Sequence, residues 1–343
     1  MDKKELKSIA KAMVAKGKGI LAADESASTC EKRFNSVNVT CTEENRRQYR
    51  ELFLGATDVE QYISGVILFE ETVEQNASDG TPFPKLLEMK GILPGIKLDK
   101  GAKDLALHPE EKITEGLDGL RERLAKYKAL GAKFAKWRAV ITIGKNIPTE
   151  ACIDSNAHAL ARYAALCQEA GIVPMVEPEV LIDGSHTIET SYKVTLATLK
   201  EVFEEMEEQG VYMPGVILKT SMVIAGKSAK KQSSPKEVAK MTVKCLKAAA
   251  PKDLGGIVFL SGGQGDEQAT SNLNEMNKLG KMPWALSFSY ARALQSPALK
   301  IWAQDISKNV SPARDAFMFR AKMNGLAATG AYKESMETDR PYK

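Results

Sequence analysis

Eight short apolar runs occur along the chain. They are separated by longer stretches in which hydrophobic and polar residues recur with helical spacing. The runs are continuous rather than strictly alternating, which is typical of strands buried on both faces of a sheet. They cover residues 19–24, 62–70, 95–99, 134–141, 173–180, 215–220, 256–263 and 283–290. The pattern therefore predicts eight buried strands.

Helical spacing fills most of the intervals between these runs. The first such segment, 42–56, begins at Thr42, a favourable N-cap residue followed by two glutamates. Several of the others stop at a glycine or a proline, as helices commonly do. The remaining predicted helices cover residues 111–132, 156–171, 187–210, 235–251 and 266–280, and a helical extension is expected before the first strand.

The alternation of strand and helix, with no linker-like segment, predicts a fold of the α/β class. The simplest architecture is a single (β/α)8 TIM barrel over residues 1–343. An open doubly wound sheet is the alternative. It is disfavoured because the chain has no GxGxxG, and because its glycine-rich SGGQG lies near the seventh run rather than after the first. The polar tail, about 330–343, is predicted to be mobile.

Composition narrows the class of protein. The net charge of +4 argues against a strongly basic nucleic-acid binder, while 43% hydrophobic and 27% charged residues are typical of a soluble protein. Five scattered cysteines without a CxxC indicate a reducing compartment. The N-terminus is too charged for a signal-peptide core, and no apolar run approaches the ~20 residues of a membrane span. We therefore expect a cytoplasmic protein with no nucleic-acid or membrane partner.

Charged residues occupy the predicted strands in an orderly way. Three strands carry pairs two residues apart, which on a strand face the same side. A single charge at a strand end is usually a solvated rim residue, but unpaired buried charges cost several kcal/mol each. The set therefore predicts a site at the C-terminal mouth of the barrel, where barrel enzymes perform their chemistry. Its members are Asp24, Lys97 with Asp99, Lys136 with Arg138, Glu177 with Glu179, and Lys219.

Lys219 lies inside the apolar run 215–220 and is the candidate nucleophile. Nucleophilic attack needs the neutral amine, and both desolvation and nearby cations disfavour the charged form. We expect Lys136 and Arg138, across the barrel, to supply those cations.

Two segments predict anion binding. Residues 260–264, LSGGQ, follow a strand and offer backbone N–H groups that an anion can approach. Ser289 and Arg292 follow the last strand, and the loops after strands seven and eight are the common phosphate position in this fold. A plain turn is the alternative for SGG alone. A second anion site, or an ordinary capped helix start, is predicted after the first strand, at Ser26, Ser28, Thr29, Lys32 and Arg33.

Eight motifs in this order resemble the class I, Schiff-base fructose-1,6-bisphosphate aldolases. The resemblance runs from about residue 5 to about residue 330. The motifs are LAADES (21–26), ENRRQYR (44–50), GIKLDKG (95–101), AKWRAV (135–140), VPMVEPE (173–179), ILK (217–219), FLSGGQ (259–264) and LSFSYARALQ (286–295).

The resemblance implies a role for each matching residue. Lys219 stands at the imine-forming lysine, and Glu177 at the carboxyl that handles protons while the imine forms. Glu179, Lys136 and Asp24 match neighbours of the carbonyl and the cleaved bond. Residues for the phosphate on the ketone side are Ser261, Gly262 and Arg292, to which the last-strand loop adds Ser289 and Ala291. Those for the other end of the sugar are Ser26, Thr29, Arg33, Lys97 and Arg138.

The family also implies a cytosolic homotetramer of glycolysis and gluconeogenesis that binds sugar phosphates and needs no cofactor and no metal. Secondary binding of cytoskeletal or surface proteins is reported for its members. Departures from its pattern are Thr29 for a serine, and Ser28 and Ala291 for glycines. The alanine requires a backbone that does not need positive φ. The tail ends Tyr342–Lys343, so a role for Tyr342 like that of the terminal tyrosine of animal enzymes is left open.

Three alternatives remain open from the residues themselves. Another imine-forming barrel enzyme, such as a transaldolase, would share the chemistry of Lys219. A metal-dependent class II aldolase is disfavoured by three unclustered histidines. A scaffold protein is disfavoured by the charged constellation. The base for carbon–carbon cleavage is also open, with Asp24 preferred over Glu177, as is the preference between fructose 1,6-bisphosphate and fructose 1-phosphate.

Overall fold

The structure is a computed structural model that describes residues 1–342; Lys343, the last residue of the predicted tail, lies outside the described residues. The strands are β1 (Gly19–Ala23), β2 (Ile63–Leu68), β3 (Leu93–Lys97), β4 (Ala102–Asp104), β5 (Lys112–Thr114), β6 (Phe134–Ile141), β7 (Val173–Val180), β8 (Ile217–Thr220), β9 (Gly256–Phe259) and β10 (Leu286–Tyr290).

The helices that connect these strands lie mostly outside the sheet. They are α1 (Lys3–Met13), α2 (Ala27–Asn35), α3 (Glu43–Leu54), α4 (Glu70–Val73), α5 (Phe83–Met89), α6 (Leu120–Ala129), α7 (Glu150–Glu169), α8 (Ile188–Glu208), α9 (Pro235–Ala249), α10 (Asp266–Lys278), α11 (Arg292–Trp302) and α12 (Val310–Ala327). Short 3-10 helices occur at Val59–Gln61, Met213–Gly215 and Glu334–Asp339.

Eight parallel strands close into a barrel, in the order β1, β10, β9, β8, β7, β6, β3, β2. Closure comes from β1 and β10, where Ile20 pairs with Ser289 and Leu21 with Tyr290. Each barrel strand overlaps one of the eight predicted runs, so the predicted (β/α)8 barrel is confirmed. The helical N-terminus is present as α1.

The interior of the barrel is packed rather than open. Phe134 fills space that two glycines leave free: a Cβ on Gly65 would lie 3.1 Å from its ring, and one on Gly95 would overlap it. At the N-terminal end, Leu6 and Met13 of α1 are buried in the same cluster as the inward residues of the strands. α1 and this packing thus fill the N-terminal end of the barrel, and the C-terminal end is where barrel enzymes carry their sites.

The predicted helix over 111–132 is wrong in its first half. Lys112–Thr114 instead forms β5, which pairs antiparallel with β4 as a small hairpin outside the barrel. Helix α6 begins only at Leu120. The reason lies in the backbone, since Gly116 and Gly119 adopt φ of 126° and 63°, which a right-handed helix does not allow.

The C-terminal segment after α12 packs against the barrel helices. The Tyr332 side chain is buried, and Glu337 pairs with Arg320 of α12 at 2.6 Å. The predicted mobility of residues 330–343, and the prediction that the whole chain is one domain, stay predictions.

Candidate active site

A cavity of about 240 Å³ opens at the C-terminal end of the barrel, and all fifteen predicted site residues line it. They arrive on the ends of different strands and on the loops that follow. This is why residues scattered across the sequence meet in one place. The fifteen are Asp24, Ser26, Thr29, Arg33, Lys97, Lys136, Arg138, Glu177, Glu179, Lys219, Ser261, Gly262, Ser289, Ala291 and Arg292.

Lys219 lies at the base of the cavity with 3% of its surface exposed. Its Nζ is 3.1 Å from Oε1 of Glu177, which comes from the neighbouring strand β7. The other oxygen of Glu177 is 3.2 Å from Nζ of Lys136. One buried carboxylate therefore lies between two buried ammonium groups.

The pairing extends from Lys136 to β1. Lys136 Nζ donates a hydrogen bond of 2.9 Å to Oδ2 of Asp24 and lies 3.9 Å from Oδ2 of Asp99. Asp99 in turn is 3.4 Å from Nζ of Lys97. The result is an alternating chain of cations and carboxylates across the mouth of the barrel, in which each buried charge has a partner of opposite sign.

The electrostatics keep these groups charged. Burial would raise the pKa of Asp24, but the charges of Lys136 and Lys219 outweigh it and hold that pKa below its usual range. Burial also raises the pKa of Glu177, and its neighbouring cations again produce a net lowering. For Lys136, burial lowers the pKa, but the nearby carboxylates Asp24 and Glu177 raise it above its ordinary value. Both carboxylates are therefore ionised at neutral pH.

The surroundings of Lys219 differ from the expected cluster of bare cations. Glu177 lies between Lys219 and Lys136, and Arg138 is paired with Glu179 through its Nε. The geometry thus places the carboxylate of Glu177, to which the family resemblance gives the proton-handling role, in direct contact with the amine.

One part of the cavity is formed by the loop after β9, by Ser289 near the end of β10, and by the residues that follow this strand. Gly262 and Gly263 adopt φ of 57° and 88°, which turns the loop after Ser261. Ser289 is 1% exposed, and its Oγ has no hydrogen-bond partner among the described residues, so it is free to bond a ligand. Ala291 has φ of −103°, so the backbone there does not need glycine.

A second group of polar side chains in the cavity lies at the start of α2, after β1. Ser26 caps this helix by accepting from the Thr29 N–H, and its hydroxyl lies 3.1 Å from that of Thr29. Arg33, one turn further along, also faces the cavity. Hydroxyls and a guanidinium at a helix N-terminus suit an anion. Two of the five residues predicted for the anion site after the first strand, Ser28 and Lys32, do not line the cavity.

The pattern of charged strand ends did not single out Glu25, which also lines the cavity. Its carboxylate pairs with both Arg33 and Arg50. Burial raises the pKa of Glu25, but the two guanidinium charges lower it overall. In the sequence, a charged residue next to Asp24 looks like an ordinary solvent-exposed residue at the end of a strand. The ion pair between Glu25 and Arg50 becomes visible only when the structure places Arg50, from α3, beside it.

No group of three or more His, Cys, Asp or Glu side chains in residues 1–342 is arranged to hold a metal ion. Within the same residues, no helix is both long enough and apolar enough to cross a membrane.

Comparisons with known proteins identify the family. The family model for fructose-bisphosphate aldolase class-I matches residues 5–342. A probable fructose-bisphosphate aldolase class 1 of Xanthomonas axonopodis pv. citri is 59% identical over 97% of this chain and 100% of its own length. A relative named cytosolic fructose-bisphosphate aldolase 4, from Arabidopsis thaliana, is 50% identical over 92% of this chain and 81% of its own length.

The fold agrees with a solved member. The structure of fructose-bisphosphate aldolase from Plasmodium falciparum, determined in complex with TRAP and a small molecule inhibitor, superposes with a TM-score of 0.95. It is 47% identical, and the match covers 96% of this chain and 95% of the other. The chain therefore belongs to the class I fructose-bisphosphate aldolase family.

Proposed function

We propose that this chain cleaves fructose 1,6-bisphosphate reversibly to dihydroxyacetone phosphate and glyceraldehyde 3-phosphate through a Schiff base on Lys219. The observation that carries the proposal is the contact of 3.1 Å between the buried Lys219 amine and Glu177, in a cavity that is also lined by cation- and hydroxyl-bearing loops. Family membership supports the same reaction.

Glu177 serves the steps that form the imine. It takes a proton from Lys219, whose neutral amine adds to C2 of the ketose. It then returns a proton to the carbinolamine hydroxyl, which leaves as water and gives the protonated imine. The contact with Lys136 at 3.2 Å favours the ionised form of Glu177 before it takes the proton and after it has returned it.

Asp24 removes the proton of the C4 hydroxyl. The C3–C4 bond then breaks, its electron pair moves toward the protonated imine, and glyceraldehyde 3-phosphate leaves. The resulting enamine is protonated at C3, and water hydrolyses the imine to release dihydroxyacetone phosphate. Asp24 is favoured over Glu177 as the base for cleavage because Glu177 is in contact with the amine itself, whereas Asp24 is held by Lys136 on the other side.

The two phosphates take opposite ends of the cavity. The ketone-side phosphate binds Ser261, Gly262, Ser289 and Arg292, with the backbone at Ala291. The far-end phosphate binds Ser26, Thr29, Arg33 and Lys97. Arg138 and Glu179, which pair with each other, line the wall between the strand ends and orient the sugar hydroxyls.

Trapping of the imine tests the proposal directly. The protein is incubated with fructose 1,6-bisphosphate and EDTA, reduced with borohydride, and digested, and the adduct is located by peptide mass. A triose phosphate adduct on Lys219 is expected, with cleavage unaffected by the chelator. Lys219→Arg, which keeps the charge but is not a nucleophile at neutral pH, must give no adduct.

The matched control is Lys227→Arg, at an exposed lysine paired with Asp183, which should label on Lys219 like the unaltered chain. Cleavage without an added acceptor aldehyde separates a lyase from a transaldolase. An adduct elsewhere, or cleavage abolished by the chelator, would contradict the proposal.

The setting of the reaction is proposed from the relatives. A cytoplasmic enzyme of glycolysis and gluconeogenesis is supported by the relative that is named cytosolic. A homotetramer is proposed from the family. Its molar mass in solution is measured by light scattering after size-exclusion chromatography. Secondary protein binding is supported by the Plasmodium complex with TRAP. An active-site variant that still binds such a partner would separate the two activities.

A further inference from the structure

Gln295 is a buried amide that joins three elements around the cavity without lining it. It lies in α11, three residues after Arg292, and is 1% exposed. Its Oε1 accepts hydrogen bonds from Nη1 of Arg33 at 2.6 Å and from the hydroxyl of Tyr49 at 3.3 Å. Its Nε2 donates to the carbonyl of Ala22, in β1, at 2.9 Å.

The chemistry of these partners fixes which way the amide points. A guanidinium can only donate and a backbone carbonyl can only accept. A flipped amide would therefore place two donors against each other at Arg33 and two acceptors against each other at Ala22. The oxygen of Gln295 thus faces Arg33.

Gln295 and Glu25 together hold one nitrogen of Arg33. Nη1 bonds both of them, while Nη2 and Nε of Arg33 meet no acceptor within residues 1–342. The side chain is 18% exposed and faces the cavity. One nitrogen is therefore used for anchoring, and the remaining donors are left for a ligand.

We infer that Gln295 is a positioning residue for Arg33 and thereby for the far-end phosphate, so that it sets the preference for fructose 1,6-bisphosphate over fructose 1-phosphate. Helix α11 then serves both ends of the substrate, with Arg292 at the near phosphate and Gln295 behind the far one. Fructose 1-phosphate lacks the far phosphate and provides an internal reference.

The test compares kcat and KM on the two substrates for the unaltered chain, Gln295→Met, Arg33→Met and the double variant. In Gln295→Met the KM for the bisphosphate should rise about tenfold, the size expected for one misplaced charge-assisted hydrogen bond, while fructose 1-phosphate is cleaved as before. The double variant should be no worse than Arg33→Met, because both substitutions remove the same interaction.

Gln168→Met is the matched control. Gln168 is also a buried glutamine, 2% exposed, and bonds Tyr212 away from the cavity. Its loss should lower stability without changing the ratio of kcat/KM between the substrates. If Gln295→Met does not fold, Arg33→Met carries the test, because an unchanged ratio of kcat/KM between the two substrates in that variant would overturn the inference.

The outcomes separate this inference from the proposed function on which it rests. Equal losses on both substrates in Gln295→Met would overturn the role of Gln295 alone. An unchanged substrate ratio in Arg33→Met would overturn the role of Arg33 and with it that of Gln295. Failure of the unaltered chain to cleave either substrate would overturn the proposed function itself.

Discussion

Glu25 has no part in the proposed reaction, but its carboxylate holds a cavity-lining side chain in place. Its carboxylate is shared by Arg33, which faces the cavity, and by Arg50, which is 2% exposed. A buried arginine without a partner is costly, so this carboxylate stabilises both α2 and α3 against β1.

Glu25→Gln should therefore destabilise the fold by about 3 kcal/mol at neutral pH, since it leaves a buried charge without its ionic partner. The folded-state pKa of Glu25 lies below its ordinary value, so this contribution is fully present above about pH 4.3 and is lost as the pH falls further. The difference in unfolding free energy between variant and unaltered chain should be large at pH 7 and smaller at pH 3.5, as measured by urea unfolding.

The control for that measurement is Glu88→Gln, at an exposed pair with Lys85, which should change stability little at either pH. If Glu25→Gln lowers the free energy of unfolding by the same amount at both pH values, the carboxylate stabilises the fold by its shape and hydrogen bonds rather than by its charge.

At the scale of elements, the loop after β9 depends on a conformation that few residues adopt. Gly262 has φ of 57°, and a Cβ there would lie 3.0 Å from Leu260 and 3.2 Å from Ile182. The loop is also tied by Gln264, which donates to the Ser261 carbonyl at 2.9 Å. The position of its backbone N–H groups is therefore fixed before any ligand arrives.

Gly262→Ala should raise KM for fructose 1,6-bisphosphate and for fructose 1-phosphate by the same factor, because both carry the ketone-side phosphate. The backbone strain is about 1–2 kcal/mol, which corresponds to roughly five- to thirtyfold. Steady-state kinetics on both substrates measure it. Gly265→Ala, where no atom lies within 4 Å of the added Cβ, is the control and should be silent. Unequal factors would place Gly262 away from the shared phosphate.

The boundaries of some helices and strands could be predicted from the local sequence, and those of others could not. The N-cap at Thr42 was confirmed, because Thr42 accepts from the Asn45 N–H and α3 starts at Glu43. The strand predicted over 256–263 was too long, because β9 ends at Phe259 and the positive φ of Gly262 and Gly263 turns the chain out of the strand. The hairpin of β4 and β5 was missed because its pairing depends on contacts outside the barrel, which local periodicity does not carry.

The site was more predictable than the hairpin for a physical reason. Charges inside apolar runs are conspicuous, and the period of two on a strand assigns them to one face. Residues such as Gln295 and Arg50 lie on helices among ordinary polar positions, so only the three-dimensional structure shows that they contact residues lining the cavity.

At the scale of the whole molecule, a buried ion pair holds the C-terminal segment. Arg320 is 0% exposed and donates to both oxygens of Glu337, at 2.7 and 2.6 Å, and to the hydroxyl of Thr270 at 2.7 Å. The hydroxyl of Tyr332 also donates to Glu337, at 3.0 Å. These contacts tie the segment to α10, the helix that follows the loop after β9.

Glu337→Gln should release residues 331–342, because the buried Arg320 would lose its closer ionic partner and keep only Asp266, at 3.8 Å, at a cost of about 3 kcal/mol. Hydrogen exchange of the amides in that segment should speed up. Arg340→Gln removes an exposed pair with Glu267 and is the control, with little change expected. If the segment exchanges equally fast in the unaltered chain, its predicted mobility is correct and the ion pair does not hold it.

Closure of the barrel has a consequence for the order in which the protein is made. β1 needs β10 as its second neighbour, through the pairs Ile20 with Ser289 and Leu21 with Tyr290. A ribosome that builds the chain from its N-terminus releases β1 long before β10 exists. Until then, the nascent chain carries an open sheet with two unpaired edges, which are prone to join edges of other chains. Asp24, the residue after β1, is therefore surrounded by a closed barrel only after β10 has been made.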